Sequence, residues 1–174
     1  MKTLLFFNLL FLVFFTTSAF ADDTLQIRSK LGFGFQANAP TPGLSAKYEI
    51  MNPLQVQGIF GIFGDNTYYG GRLLYGFKHP YHTAYIFASV SGQMTRNRET
   101  MTVLPGGMFQ TSTHNDYGQE YGGGIGLEWF FKGLPELGIS IDVGFANYVE
   151  PPGTENFSSI IGGVGMHYYP TISK

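Results

Sequence analysis

Residues 117–131 and 137–145 hold a period of two with little interruption. In the first stretch Tyr121, Ile125, Leu127, Trp129 and Phe131 fall on one face, and Glu120, Gly122, Gly124, Gly126 and Glu128 on the other. In the second, Leu137, Ile139, Ile141, Val143 and Phe145 alternate with Gly138, Ser140, Asp142 and Gly144. Successive side chains point to opposite faces of a strand, so each stretch predicts a strand with one apolar face and one face of glycine and charge. Residues 132–136 predict the tight antiparallel turn between them.

The rest of the chain carries the same alternation. Residues 27–39 set Leu31, Phe33, Phe35 and Ala37 against Arg28, Lys30, Gly32, Gly34, Gln36 and Asn38. Residues 44–51 set Leu44, Ala46, Tyr48 and Ile50 against Ser45, Lys47 and Glu49, and Asn52-Pro53 turns the chain. In residues 54–64 the phase blurs after Gly58, which predicts a bulge at a glycine. Tyr69, Leu73, Tyr75 and Phe77 then oppose Tyr68, Gly70, Arg72, Gly76 and Lys78. Residues 83–95 form a fifth strand with no assignable sides, because Ala84, Tyr85, Ile86 and Phe87 are apolar in sequence. Residues 96–116 lose periodicity and predict a long loop, and residues 149–156, with Pro151-Pro152-Gly153, a second one. A last strand, 157–169, aligns Ile160, Val164, Met166 and Tyr168 before Pro170.

At the N-terminus, Lys2, an apolar run over 4–15 and Ala19-Phe20-Ala21 form a signal-peptide pattern. The run falls short of the roughly 20 residues of a spanning helix. Residues 1–21 are therefore expected to be removed, leaving 22–174 as one domain with room for about eight strands.

Composition decides which face is wet. Charged residues are 13% of the chain, with 24 Gly, 17 Phe and 11 Tyr, against about 25% charged residues in ordinary soluble domains. A secreted soluble barrel would show its polar face to water, yet here that face is largely glycine, which suits a narrow lumen. Tyr117, Tyr121, Trp129 and Phe131 lie toward strand ends on the apolar face, as an aromatic girdle would. The expected fold is all-β: an eight-stranded antiparallel up-and-down transmembrane barrel. With the N-terminus periplasmic, both long loops fall outside the cell and the short turns inside. A net charge of −2 without a basic run argues against nucleic acid. The absence of cysteine excludes disulfides, thiolate chemistry and a lipidated cysteine.

Inward charges of both signs follow from the alternation: Arg28, Lys30, Lys47, Arg72 and Lys78 with Glu49, Glu120, Glu128 and Asp142. Strand heights place Glu128 near Arg28 and Lys30, and Asp142 near Lys47 or Arg72. Such charges predict a structural ion-pair plug rather than a catalytic carboxylate pair. His79 and His82 flank a short turn without a third ligand, so no metal site is expected. His167 is expected to make a lumen or interface hydrogen bond. The GGGIG run of 122–126 has no helix after it and predicts no phosphate site.

The signal peptide, GGGIGLEWFF at 122–131 and IIGGVGMHYY at 160–169 resemble the eight-stranded outer-membrane barrels: the OmpA transmembrane domain, OmpX and the opacity-type surface proteins. The resemblance implies a non-enzymatic protein of a Gram-negative outer membrane, monomeric, without cofactor. Its partners would be outer-membrane lipids and lipopolysaccharide, with a surface ligand at 96–116 and 149–156. It leaves two alternatives, a small channel for hydrophobic molecules and a lipid A-modifying enzyme. The lipid A deacylases carry His-x-Ser on the strand before the last hairpin, where this chain reads Gly144-Phe145-Ala146-Asn147-Tyr148. Ser112, Thr113, His114 and Asp116 cluster instead in the predicted loop, where turn chemistry accounts for them.

Overall fold

A computed structural model describes residues 29–38, 41–103, 105, 107–149 and 156–170. The expected signal peptide and Arg28 lie outside the described residues. The strands are β1 (Leu31–Asn38), β2 (Gly43–Met51), β3 (Leu54–Phe63), β4 (Asn66–His79), β5 (His82–Val103), β6 (Phe109–Phe131), β7 (Leu134–Val149) and β8 (Phe157–Tyr168). Each pairs antiparallel with its sequence neighbour, and β1 pairs with β8, so the sheet closes on itself. At the seam the pairing runs from Phe33↔Tyr168 to Asn38↔Gly163 and joins the two end strands over that span.

The pleat sorts the residues by chemistry. Leu44 is 72% exposed and Phe145 and Ile160 are each 69% exposed, all on the outer surface, whereas Lys47, Arg72, Glu128 and Asp142 are 2–6% exposed. Most apolar side chains of the wall face out, and these four charged ones face in. Among the described residues no helix is long and apolar enough to cross a membrane.

In β5, Tyr85 and Phe87 point inward and pack with Leu74, Ala146 and Ile161, while Ile86 and Val90 point out. The strand has no clean alternation because the barrel interior holds an apolar cluster at this level. The bulge expected in β3 is absent. Gly58 pairs in register with Ala46 on one side and Gly71 on the other. The phase blurs because Ile59 is an apolar residue on the inner face. The β2–β3 irregularity lies instead between Glu49 and Met51.

The predicted loop 96–116 is largely a ribbon. Beyond a register shift between Thr95 and Arg98, β5 and β6 continue as a pair from Arg98↔His114 to Val103↔Phe109. Asn97 turns through a positive φ of 56° at that shift. Thr102, Thr111 and Thr113 favour extended backbone, but these residues are exposed and cover no core. With neither side buried, hydrophobic periodicity has nothing to report. The second expected loop, 149–156, lies mostly outside the described residues. The turn expected at 132–136 is shorter, since β7 already starts at Leu134.

Among the described residues the ribbon pairs with no third strand on either edge, so local opening there costs less than in the wall. Limited proteolysis of the folded protein in detergent is expected to cut first within 96–116, leaving the two flanking parts associated and resistant. Initial cleavage at the opposite-end turns would contradict this.

Candidate functional site

The interior is assembled by cross-strand register. Gln36 stands opposite Gly165, Gly126 opposite Asp142, and Glu128 opposite Ser140. Each of these long polar side chains thus faces glycine or serine on a neighbouring strand, whereas Lys47, Gln57 and Arg72 lie side by side on β2, β3 and β4. A Cβ at Gly165 would collide with Gln36 Oε1, and one at Gly126 with Asp142 and Tyr85. The glycines of the polar face are the space that the charged side chains occupy.

Two carboxylates organise that space. Asp142 on β7 accepts from Arg72 Nη1 of β4 at 2.8 Å and Gln36 Nε2 of β1 at 2.9 Å, and also from the Tyr85 hydroxyl of β5. Arg72 Nη1 also donates to Gln57 Oε1 at 3.2 Å, and Gln57 Nε2 donates to Ser45 Oγ at 2.8 Å. The Arg72 guanidinium lies 3.8 Å from the centre of the Phe87 ring. Glu128 on β6 accepts from Lys47 Nζ at 3.2 Å and from the Tyr169 hydroxyl at 3.0 Å. His167 lies between the two groups, with Nε2 at 2.9 Å from Ser45 Oγ and Nδ1, 3.6 Å from Glu128 Oε1, beyond hydrogen-bond distance, while Lys47 Nζ of the second group lies 5.4 Å from the centre of the Tyr85 ring of the first. The result is one polar network across the lumen, whose two ion pairs have side chains no more than 3% exposed.

Of the residues proposed for the plug, Lys47, Arg72, Glu128 and Asp142 meet in this network. Glu49 pairs with Lys78 near the turn end, where the Lys78 side chain is 35% exposed. Glu120 is buried nearer the ribbon end and accepts from Ser91 Oγ at 3.0 Å. Lys30 corrects the expectation: it lies before β1 and is exposed, and Glu128 takes Lys47 instead. Strand height estimated from sequence ignores stagger, and Lys47 stands directly opposite Gly32 in the β1–β2 register. Gln36, Gln57, Tyr85 and Tyr169 also belong to the network, though the alternation did not single them out. Tyr85 gave no signal, because a tyrosine in an apolar run has no readable side.

Tyr117, Tyr121, Trp129 and Phe131 all face outward, between 39% and 55% exposed. Trp129 stands opposite His82 at the turn end, and Tyr117 opposite Met94 toward the ribbon. Tyr69, Tyr75, Phe77 and Tyr168 join them on the outer surface. His79 and His82 stack with ring centroids 4.4 Å apart. Among the described residues no group of three His, Asp or Glu could hold a metal ion. His114 Nε2 lies 3.0 Å from Asp116 Oδ1 on the exposed ribbon, away from the lumen network.

No protein-family model matches the chain, and no curated protein does. Among solved structures, the N-terminal β-barrel domain of Pseudomonas aeruginosa OprF is similar with a TM-score of 0.49 and 11% identity, over 82% of this chain and 99% of that one. Likeness at that level carries no functional argument.

Asp142 serves three donors from three strands, so Asp142→Ala leaves a buried guanidinium without its anion. The expected loss is about 3–5 kcal/mol, read as a lower urea midpoint for unfolding in detergent. Glu49→Ala breaks a partly exposed pair and is expected to lose less than about 1 kcal/mol. Equal shifts for the two variants would refute a special weight for the lumen network.

Proposed function

We propose that this chain is a non-enzymatic eight-stranded transmembrane barrel of a Gram-negative outer membrane, exported through a cleaved signal peptide at 1–21. Its role would be structural and surface-directed. The observation that carries this reading is the inverted distribution of side chains: an outer face of Leu, Ile, Val, Phe and Tyr around an interior of paired charges. Water is a poor solvent for such an outside, and a contiguous apolar patch beyond a few hundred Å² marks an interaction surface. A closed barrel satisfies its backbone internally, which is the requirement for crossing hydrocarbon with strands. The outward aromatic residues toward both ends fit the interfaces of a bilayer.

The network of Arg72, Asp142, Lys47 and Glu128 supports a role as a plug. Eight strands enclose a lumen just wide enough for side chains, and here those side chains are bonded to one another. Passage of a hydrophobic solute through such a lumen would require breaking two buried ion pairs, so the channel alternative is disfavoured. The β5–β6 ribbon, projecting beyond the wall with exposed Met101, Val103, Met108 and Phe109, is the part offered to a surface ligand. Monomeric insertion among outer-membrane lipids and lipopolysaccharide completes the reading.

Ile125 and Val143 are register partners on the outer face. An arginine facing lipid near the bilayer midplane costs about 2–4 kcal/mol, whereas an arginine facing water costs almost nothing. Ile125→Arg is therefore expected to reduce heat-modifiable, membrane-fractionated protein and to slow folding into vesicles. Unchanged folding, or recovery of the mature chain as a soluble monomer without detergent, would overturn the membrane assignment.

A further inference from the structure

The interior acids are not treated alike. Asp142, Glu128 and Glu49 each face a cation, whereas Glu120, 5% exposed, makes no ion pair among the described residues. Among those residues its one hydrogen bond is from Ser91 Oγ at 3.0 Å. A carboxylate withdrawn from water with a single neutral donor is undersupplied, since it can accept about four hydrogen bonds.

Register explains what surrounds it. Ser91, Glu120, Tyr148 and Phe157 are successive cross-strand partners on β5, β6, β7 and β8, at one level of the inner face. The Tyr148 and Phe157 rings stack with centroids 4.5 Å apart and planes at 14°. Beside them lies a cavity of about 210 Å³, lined by Thr41, Ser91, Gln93, Glu120, Tyr148 and Phe157 among others. It sits on the ribbon side of the ion-pair network. Glu120 also lines the smaller space that touches Arg72, about 20 Å³, so it forms part of the floor.

We propose that this vestibule binds a small organic ammonium ion, with Glu120 taking the charge and the Tyr148–Phe157 pair covering the alkyl part. One acid beside an aromatic wall suits an ammonium group, which gains from a carboxylate and from a π face together. A divalent metal is a poorer fit, because calcium takes six to eight oxygens and no group of three metal-binding side chains occurs among the described residues. The size selects further: about 210 Å³ is below the range of drug-sized pockets, roughly 300–1,000 Å³, and matches a short alkylamine. Arg72 and Lys47 lie deeper in the lumen, already engaged by Asp142 and Glu128, and stop the ion from passing on.

The test uses the full mature chain in detergent micelles, with backbone amide NMR shifts followed during titration with n-butylammonium and, separately, with n-butanol. The expected result is a saturable shift at Ser91, Glu120 and Tyr148 with the ammonium and none with the alcohol. Glu120→Gln preserves size and an acceptor for Ser91, and is expected to weaken binding at least about tenfold, the worth of one charged hydrogen bond. Phe157→Leu, at the exposed rim, is expected to weaken it several-fold while the barrel stays heat-modifiable. Equal shifts with n-butanol, unchanged affinity in Glu120→Gln, or no saturation by the ammonium would each overturn the proposal. Should Glu120→Gln fail to fold, Phe157→Leu and the alcohol comparison decide it.

Discussion

Charge buried away from water has to be matched, and in this barrel the matching is done between strands rather than within them. Asp142 draws donors from β1, β4 and β5, and Glu128 draws Lys47 from β2 and Tyr169 from beyond β8. An ion pair in a low-dielectric interior gains over its desolvation cost only when further hydrogen bonds complete it. Both carboxylates have those further bonds. The same contacts hold opposite walls of the barrel at fixed distance, so electrostatic completion and barrel shape are one requirement.

The glycines follow from that requirement. Gly126 and Gly165 are bare because Tyr85, Asp142, Ser140 and Gln36 already occupy the space a Cβ would take. A soluble barrel with the same alternation would bury Leu and Ile and could fill its interior without charge. Here Gln36, Tyr85, Glu128 and Asp142 each have a glycine or serine opposite, while Lys47, Gln57 and Arg72 lie side by side on β2, β3 and β4.

Much of this architecture could be read from the chain, and the failures have physical causes. The 117–131 and 137–145 stretches alternate because each has one homogeneous face, and β4 and β8 were legible for the same reason. In β5 the inner face holds Tyr85 and Phe87 beside Ile86, so hydrophobicity could not tell inside from outside. The ribbon of 96–116 escaped because neither of its faces is buried, which leaves only threonine-rich β-propensity as a signal. Among the site residues, membership of the inner face was readable for Lys47, Arg72, Glu128 and Asp142. Asp142 was expected near Lys47 or Arg72 and takes Arg72, whereas the partner of Glu128 was not readable, because stagger between strands shifts heights by amounts absent from any single strand. Lys30 illustrates the error: it has the right parity but lies before β1 begins.

The seam between β1 and β8 joins the two ends of the wall, and the lumen bonds span comparable lengths of chain, 106 residues from Gln36 to Asp142 and 122 from Ser45 to His167. Contacts so remote in sequence form only after long loops have been closed, which makes assembly slow. A half-built sheet therefore holds Asp142 and Arg72 without the shell that Gln36 supplies, and has little interior stability of its own. The contacts of Gln36 with Asp142 and of His167 with Ser45 are therefore in place only once the wall has closed.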